Sequence, residues 1–150
     1  MSTILRKLII FTYSLKYKSL GLLSCFYKYS FILDCIGHGG TAELSPSCKF
    51  AVPVRGLGKG KVLVGNKTLL GYPQSHRLGS GEIMLQARTA NSVIKIGDRC
   101  VLNNNFCAIS CDSIRLGDHV LAGICVTIVD SDFHEVSPEK REQGGHRGKS

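Results

Sequence analysis

The chain has 150 residues, of which 43% are hydrophobic and 20% charged, and it contains 17 glycines. This length suits one domain with an appendage, and the composition favours an ordered, turn-rich protein over a disordered one. The net charge of +8 is uneven, because residues 1–80 hold 11 Lys/Arg against two acids, while residues 81–150 hold eight against nine. The basic front half favours an anionic surface such as lipid headgroups, polyanionic glycan or nucleic acid, with a merely soluble basic surface as the alternative.

The first forty residues form a segment of their own, rich in Leu, Ile, Phe and Tyr and punctuated by Lys and Arg. Four apolar residues are spaced as one stripe of a helix, namely Ile4, Leu8, Phe11 and Leu15. The longest uncharged run before Lys16 extends from Leu8 to Leu15, which is far short of the roughly 20 residues of a membrane span. We therefore expect a short amphipathic helical segment over 1–40. It either packs on the end of the following domain or lies peripherally on an anionic membrane.

A six-residue rhythm dominates the second half of the chain. Two series of inward-type residues show it: Ile96, Leu102, Ala108 and Ile114, and then Leu116, Ala122, Ile128 and His134. A helix repeats near 3.6 residues and a strand near 2, so a sustained step of six predicts a short repeat wound into a solenoid of very short strands.

Apolar–Gly–Asp/Asn units recur at the expected corners, as VGN, IGD and LGD. Gly, Asn and Asp readily adopt the backbone angles of tight turns, so these units should form the corners of the solenoid. Stretches 72–94 and 107–115 break the phase, and we expect loops or distorted rungs there.

Seven cysteines occur without a CxxC pair. Thiols used as small apolar fillers in a reducing compartment are the simplest interpretation, and the spacings match no usual zinc ligand set. We assign no metal ligand, and we expect a cytoplasmic protein.

The stretch from Leu102 to Arg141 resembles the hexapeptide-repeat acyltransferases, within a likeness that covers residues 58–150. The specific feature is the order of its parts: an Asn-rich rung, an IGD-type corner, a VTI strand, an Asp-containing loop ending in His, and a Pro and Arg tail. It is most similar to the sugar and polysaccharide O-acetyltransferase branch. The resemblance implies a mainly β fold, in which a left-handed parallel β-helix over 41–150 follows the helical segment 1–40.

The resemblance also implies a function. Members of that branch are homotrimers with active sites between subunits, and they transfer acetyl from acetyl-CoA to a hydroxyl group of a capsular polysaccharide, exopolysaccharide or lipopolysaccharide. The position that matches their general base is His134. The positions that match their acceptor contacts are Asn103 and, with a one-residue shift, Asp112.

The residues themselves support the same chemistry. Removing a proton from a hydroxyl group suits a histidine, whose ordinary pKa of about 6.5 is near working pH. Asp130 and Asp132 lie within four residues of His134, so either is a candidate for the acid that orients it. Asn103 or Asn105 could donate to the developing oxyanion. A solvent-facing loop role for His134 remains the alternative, as do ladder or corner roles for the asparagines.

The main rival hypothesis is a non-catalytic or metal-binding hexapeptide scaffold, in which histidines such as His119 and His134 converge. No ordered set of three histidines is visible, and we expect no nucleic-acid partner. The branch normally continues into further coils that form much of the CoA-binding wall, whereas this sequence ends at GGHRGKS. We therefore expect the domain to be C-terminally incomplete and the chain alone to be a poor acetyltransferase.

Overall fold

A computed structural model of the chain describes residues 21–76 and 80–132. This part is mainly β, with one helix, α1, whose described portion covers 21–37. The twelve strands are β1 Thr41–Leu44, β2 Lys49–Phe50, β3 Val54–Leu57, β4 Lys61–Val64, β5 Leu69–Leu70, β6 Ile83–Ala87, β7 Val93–Ile96, β8 Val101–Leu102, β9 Cys107–Ser110, β10 Ser113–Leu116, β11 Leu121–Ala122 and β12 Thr127–Val129.

The strands form three parallel, four-stranded sheets. Sheet A contains β1, β4, β7 and β10, sheet B contains β2, β5, β8 and β11, and sheet C contains β3, β6, β9 and β12. The chain visits A, B and C in turn and then returns to A, and each such passage is called a coil here, numbered 1 to 4. The turns between sheets are the A–B, B–C and C–A corners. This arrangement is compatible with a parallel β-helix.

The inward side chains of all three sheets form one hydrophobic core. The first six-residue series correctly predicts core positions, since its members are at most 5% exposed: Ile96, Leu102, Ala108 and Ile114. The second series lies in coil 4, where Leu116, Ala122 and Ile128 are only partly buried. The two series differ in burial because the second lies in coil 4, which is the last coil that the structure describes.

Coils 3 and 4 repeat after twenty residues rather than the eighteen that a uniform step of six gives. Ile94 pairs with Ile114, and Ala108 pairs with Ile128. The additional residues lie at the C–A corner, where the buried Ser110 takes an inward position. A polar residue there interrupts the hydrophobic rhythm without interrupting the strand.

The expectation of loops or distorted rungs at 107–115 is therefore wrong, because β9 and β10 occupy most of that stretch. The expectation for 72–94 is wrong for β6 and β7, which also pair regularly. The chain between the strands is nevertheless longer in coil 2. Leu70 and Met84 are fourteen residues apart, whereas their partners Leu102 and Cys107 are five apart.

The corners use glycine differently from the prediction. At the A–B corners the positive φ angles fall on the third corner residue, with φ of 54° at Lys67 and Arg99 and 60° at His119. Gly97 is required by close approach instead, because a Cβ on it would lie 2.6 Å from the carbonyl carbon and oxygen of Gly117 in the next coil. Backbone at that distance leaves no room for a side chain.

A ladder of side-chain oxygens joins the A–B corners of successive coils. The backbone N–H of Asn66 donates to Asp98 Oδ1 at 2.7 Å, and that of Asp98 donates to Asp118 Oδ1 at 2.7 Å. The hydrogen bond from the backbone N–H of Asn66 is the largest contribution that lowers the pKa of Asp98. Each carboxylate thus satisfies a turn amide of the coil before it.

Helix α1 packs on coil 1 through one face. Ser24 Oγ accepts a hydrogen bond from the Phe50 N–H at 2.9 Å, and Phe31 meets the Phe50 ring edge-on with centroids 5.6 Å apart. Asp34 pairs with Arg55 Nε at 2.8 Å. The packing that was one of two alternatives for the N-terminal segment is thus present over 21–37, and residues 1–20 lie outside the described part. Among the described residues no helix is long and apolar enough to cross a membrane.

Candidate functional site

The described residues of the predicted site fall at two separate corners. Asp112 and Asp130 lie together at the C–A corner, where the Asp112 N–H donates to Asp130 Oδ2 at 3.0 Å. Asn103 and Asn105 lie at the B–C corner, between β8 and β9. Strand β9 separates the two groups, and its four residues at about 3.3 Å each place the corners roughly 13 Å or more apart. Within one chain they do not form a common site.

Asp130 is held tightly by the corner of the preceding coil. Its Oδ2 accepts from Ser110 Oγ at 2.6 Å, and its Oδ1 accepts from the Cys111 N–H at 2.7 Å. With the bond from Asp112, the carboxylate receives three donors from residues that lie eighteen to twenty positions earlier. This bonding fixes the point at which the chain leaves β12.

These contacts decide the ionisation state of Asp130. Burial makes the largest single contribution and raises its pKa, but the hydrogen bonds from Ser110 and from the backbone of Cys111, Asp112 and Ser113 together outweigh it. The pKa of Asp130 is therefore lowered from its ordinary value. The group is a carboxylate at neutral pH and can bind only donors.

Asp132 differs from Asp130 although it is only two residues away. Its side chain is exposed, and it has no hydrogen bond or ion pair within the part of the chain that the structure describes. It is thus free to accept from a neighbouring ring nitrogen, whereas Asp130 already has three donors. His134, the predicted base, lies outside the described residues.

An open cavity of about 610 Å³ lies at the C–A corner. It extends over three coils and is lined by Lys59, Arg88, Thr89, Ala90, Asn91, Cys111 and Asp112. The corner in coil 2 is enlarged here, because Ala87 and Val93 are six residues apart, while their partners Ser110 and Ser113 are three apart. Two cations against one carboxylate make the lining suitable for a ligand that carries negative charge.

Asn103 and Asn105 have local roles at the B–C corner. The Asn103 side-chain oxygen accepts from the Asn104 N–H at 2.7 Å, and Asn105 has φ of 59°. Of the open alternatives for these asparagines, the corner role is the one seen for Asn105. Both side chains are partly exposed, so a role in binding an acceptor stays a prediction.

Asn104 is the residue that sequence reasoning missed. It is fully buried, and its amide holds the chain between β5 and β6: Oδ1 accepts from the Tyr72 N–H at 2.9 Å, and Nδ2 donates to the carbonyls of Tyr72, Ser75 and His76 at 3.2–3.4 Å. A signal was present, because Leu102, Asn104 and Phe106 alternate as inward positions. Because every second residue here faces inward, the position of Asn104 between Leu102 and Phe106 was enough to predict that its side-chain amide is buried.

A second groove, of about 520 Å³, follows the A–B corner. Its polar groups already serve the ladder of Asn66, Asp98 and Asp118, so it is the weaker candidate for a site. His119 lies at this corner and is exposed, as expected, and its Nε2 accepts from Arg99 Nε at 3.0 Å. Among the described residues no group of three His, Cys, Asp or Glu side chains is placed to hold a metal ion.

Comparison of the chain with models of known protein families, with curated proteins and with solved structures finds no match.

Proposed function

We propose that the chain is an acetyl-CoA-dependent O-acetyltransferase that acts on a saccharide hydroxyl group and is built on a left-handed parallel β-helix. The observation that carries the proposal is the C–A corner. There Asp130 ties the end of β12 to coil 3 beside an open cavity. The VDSDFH loop therefore starts from a fixed point beside a space of substrate size.

In the proposed reaction His134 removes the proton of the acceptor hydroxyl group. The hydroxyl oxygen then attacks the thioester carbonyl carbon of acetyl-CoA, the carbon–sulfur bond breaks, and the proton leaves with the CoA thiol. Asp132 is the better candidate for the acid that orients His134, because its carboxylate has no other partner among the described residues. Asp130 would act indirectly, because it does not orient His134 itself but ties the start of the VDSDFH segment to coil 3.

A homotrimer would resolve the separation of the two corners. In a trimer the B–C corner of one chain can face the C–A corner of its neighbour, so Asn103 and His134 would approach each other between subunits. This is the arrangement that the family resemblance implies. It supports an active site that a single chain cannot complete.

The proposed location is the cytoplasm, where acetyl-CoA and a reducing environment are found together. All seven cysteines are free, and burial raises the pKa of Cys35 to about 11, which makes that thiol unreactive. Free thiols in these positions are typical of a reducing compartment.

The test is acetyl transfer from labelled acetyl-CoA to saccharide acceptors, with the chain compared with His134→Asn. Loss of a general base should lower kcat/KM by about 10²–10⁴. His119→Asn is the matched control, because His119 is exposed at another corner and asparagine tolerates its positive φ. Equal activity of His134→Asn would refute the base role. Absence of both acetyl transfer and acetyl-CoA binding in the unmodified chain would favour the non-catalytic scaffold instead.

A further inference from the structure

The outer face of α1 is strongly apolar. Five large side chains follow one another at steps of four and three residues along the face opposite coil 1, and their exposed fractions run from 50% to 75%: Leu22, Phe26, Tyr29, Leu33 and Ile36. A helix on the surface of a soluble domain normally presents polar residues there. An unbroken apolar stripe of this length marks an interaction surface.

Within residues 21–76 and 80–132 this stripe has no packing partner. The inner face of the helix already contacts coil 1 through Ser24, Phe31 and Cys35, which are at most 9% exposed. The one acid of the helix, Asp34, pairs with Arg55. The outer face of the described helix therefore carries no negative charge and packs against no other described residue.

The part of the sequence that contains the stripe is rich in positive charge. Residues 1–60 contain eight Lys/Arg and two acids, Asp34 and Glu43. Both acids are neutralised within the domain, since Asp34 pairs with Arg55 and Glu43 with Lys61. Four of the cations precede the described part of the helix in sequence, at Arg6, Lys7, Lys16 and Lys18. The N-terminal part of the sequence, to which the stripe belongs, thus has most of the excess positive charge.

We propose that the outer face of α1 docks on an anionic phospholipid bilayer. Leu22, Phe26 and Leu33 would enter the boundary between headgroups and acyl chains, Tyr29 would lie at the headgroup level, and the surrounding cations would pair with lipid phosphates. Because the opposite face of the helix is packed on coil 1, the helix lies on the membrane and the coils rise from it. The C–A corner of coil 4 is then three coils, or roughly 15 Å, farther from the membrane than coil 1.

Charge favours a bilayer over a second copy of the chain. A symmetric contact through this stripe would bring two copies of the basic N-terminal sequence together and would have to overcome their repulsion. An anionic bilayer reverses the sign of that interaction. The same cations then strengthen binding at low ionic strength.

The experiment is flotation of the full chain with vesicles of phosphatidylcholine alone or mixed with phosphatidylglycerol. The chain should float with the mixed vesicles, more weakly with the neutral ones, and less as salt rises. Joint replacement of Phe26→Ser and Leu33→Ser should lower the partition coefficient at least about tenfold, because two apolar side chains no longer enter the lipid.

Leu121→Ser is the matched control, since Leu121 is 78% exposed at the opposite end of the described coils. It should float like the unmodified chain, and circular dichroism should show that all variants are folded. Flotation that is indifferent to lipid charge, or unchanged in the double variant, overturns the proposal. So does a chain that stays off vesicles and forms oligomers that the double variant dissociates, since a second copy would then be the partner. The proposal is independent of the proposed acetyl transfer, which the double variant should retain in solution.

Discussion

Gly97 lies directly against Gly117, in a contact that only glycine allows. A Cβ built on Gly97 would be 2.6 Å from the carbonyl carbon and oxygen of Gly117 and 2.5 Å from Asp118 Oδ1, whereas one built on Gly117 meets nothing within 4 Å. The same residue type in the same corner motif is therefore under opposite constraints in neighbouring coils.

Gly97→Ala should lower the free energy of unfolding by at least about 2 kcal/mol, because the added methyl can be accommodated only by moving backbone. Gly117→Ala is the matched control and should change it by no more than about 0.5 kcal/mol. Urea denaturation followed by circular dichroism measures both. Equal losses at the two positions would mean that Gly117 is also covered.

Asp130→Asn should lower stability at neutral pH by about 1–2 kcal/mol, because the amide cannot accept all three hydrogen bonds that the carboxylate accepts. The figure is modest because the side chain is partly exposed. The pKa of Asp130 is lower in the folded chain than in the unfolded one, so its contribution is complete above about pH 5 and is lost as pH falls through and below about 3.9. The stability difference between the two chains should shrink over that interval.

Asp132→Asn is the control for this measurement. Its carboxylate is exposed, and the variant should unfold within about 0.5 kcal/mol of the unmodified chain at neutral pH. It should nevertheless lose acetyl transfer if Asp132 orients His134. A stability loss equal to that of Asp130→Asn would contradict the division of roles between the two acids.

Asn104→Ala should destabilise the chain by about 2–3 kcal/mol, since it leaves the Tyr72 N–H and three carbonyls without their buried partner. Amide hydrogen exchange at Tyr72 gives a local measurement, and we expect it to accelerate more than exchange in β8. Asn91→Ala, at an exposed turn, should alter neither quantity. Unchanged protection of Tyr72 would show that the chain between β5 and β6 is held by other contacts.

Mixing two inactive chains tests whether the site lies between subunits. Coexpressed His134→Asn and Asn103→Ala chains should form mixed trimers in which about one interface in four carries both intact residues. Activity near a quarter of the unmodified level is expected, in particles of roughly three times the 16.3 kDa chain mass. His134→Asn mixed with Asp132→Asn should give no recovery, because both residues belong to one loop. Absence of recovery in the first pair would place the site within a single chain.

The sequence was informative where hydrophobicity carries the pattern. The series Ile96, Leu102, Ala108 and Ile114 identified buried positions, because each is apolar and each faces inward. It was misleading where a polar residue takes an inward place. Ser110 and Asn104 are fully buried, and a rhythm read from apolar residues treats such positions as interruptions. This explains why β9 and β10 were expected to be irregular.

Contacts between coils were also beyond sequence reasoning. Asp130 was chosen as an orienting acid because it lies four residues from His134, yet its donors are Ser110, Cys111 and Asp112 in the preceding coil. In stacked coils the bonding partners of a side chain lie one coil away, which is about twenty to thirty residues along the sequence. Proximity along the chain therefore says little about which of two neighbouring acids is committed to the fold.

The long connection between β5 and β6 has a consequence for how this protein can change. Coil 2 has nine more residues there than coil 3, yet Leu69 and Leu70 still pair with Val101 and Leu102 in regular register. Chain length at a corner is thus independent of alignment in the sheets. Insertions and deletions at corners can reshape the outer surface while the core stays as it is. New ligand preferences can therefore arise by lengthening a turn, with the strands left unaltered.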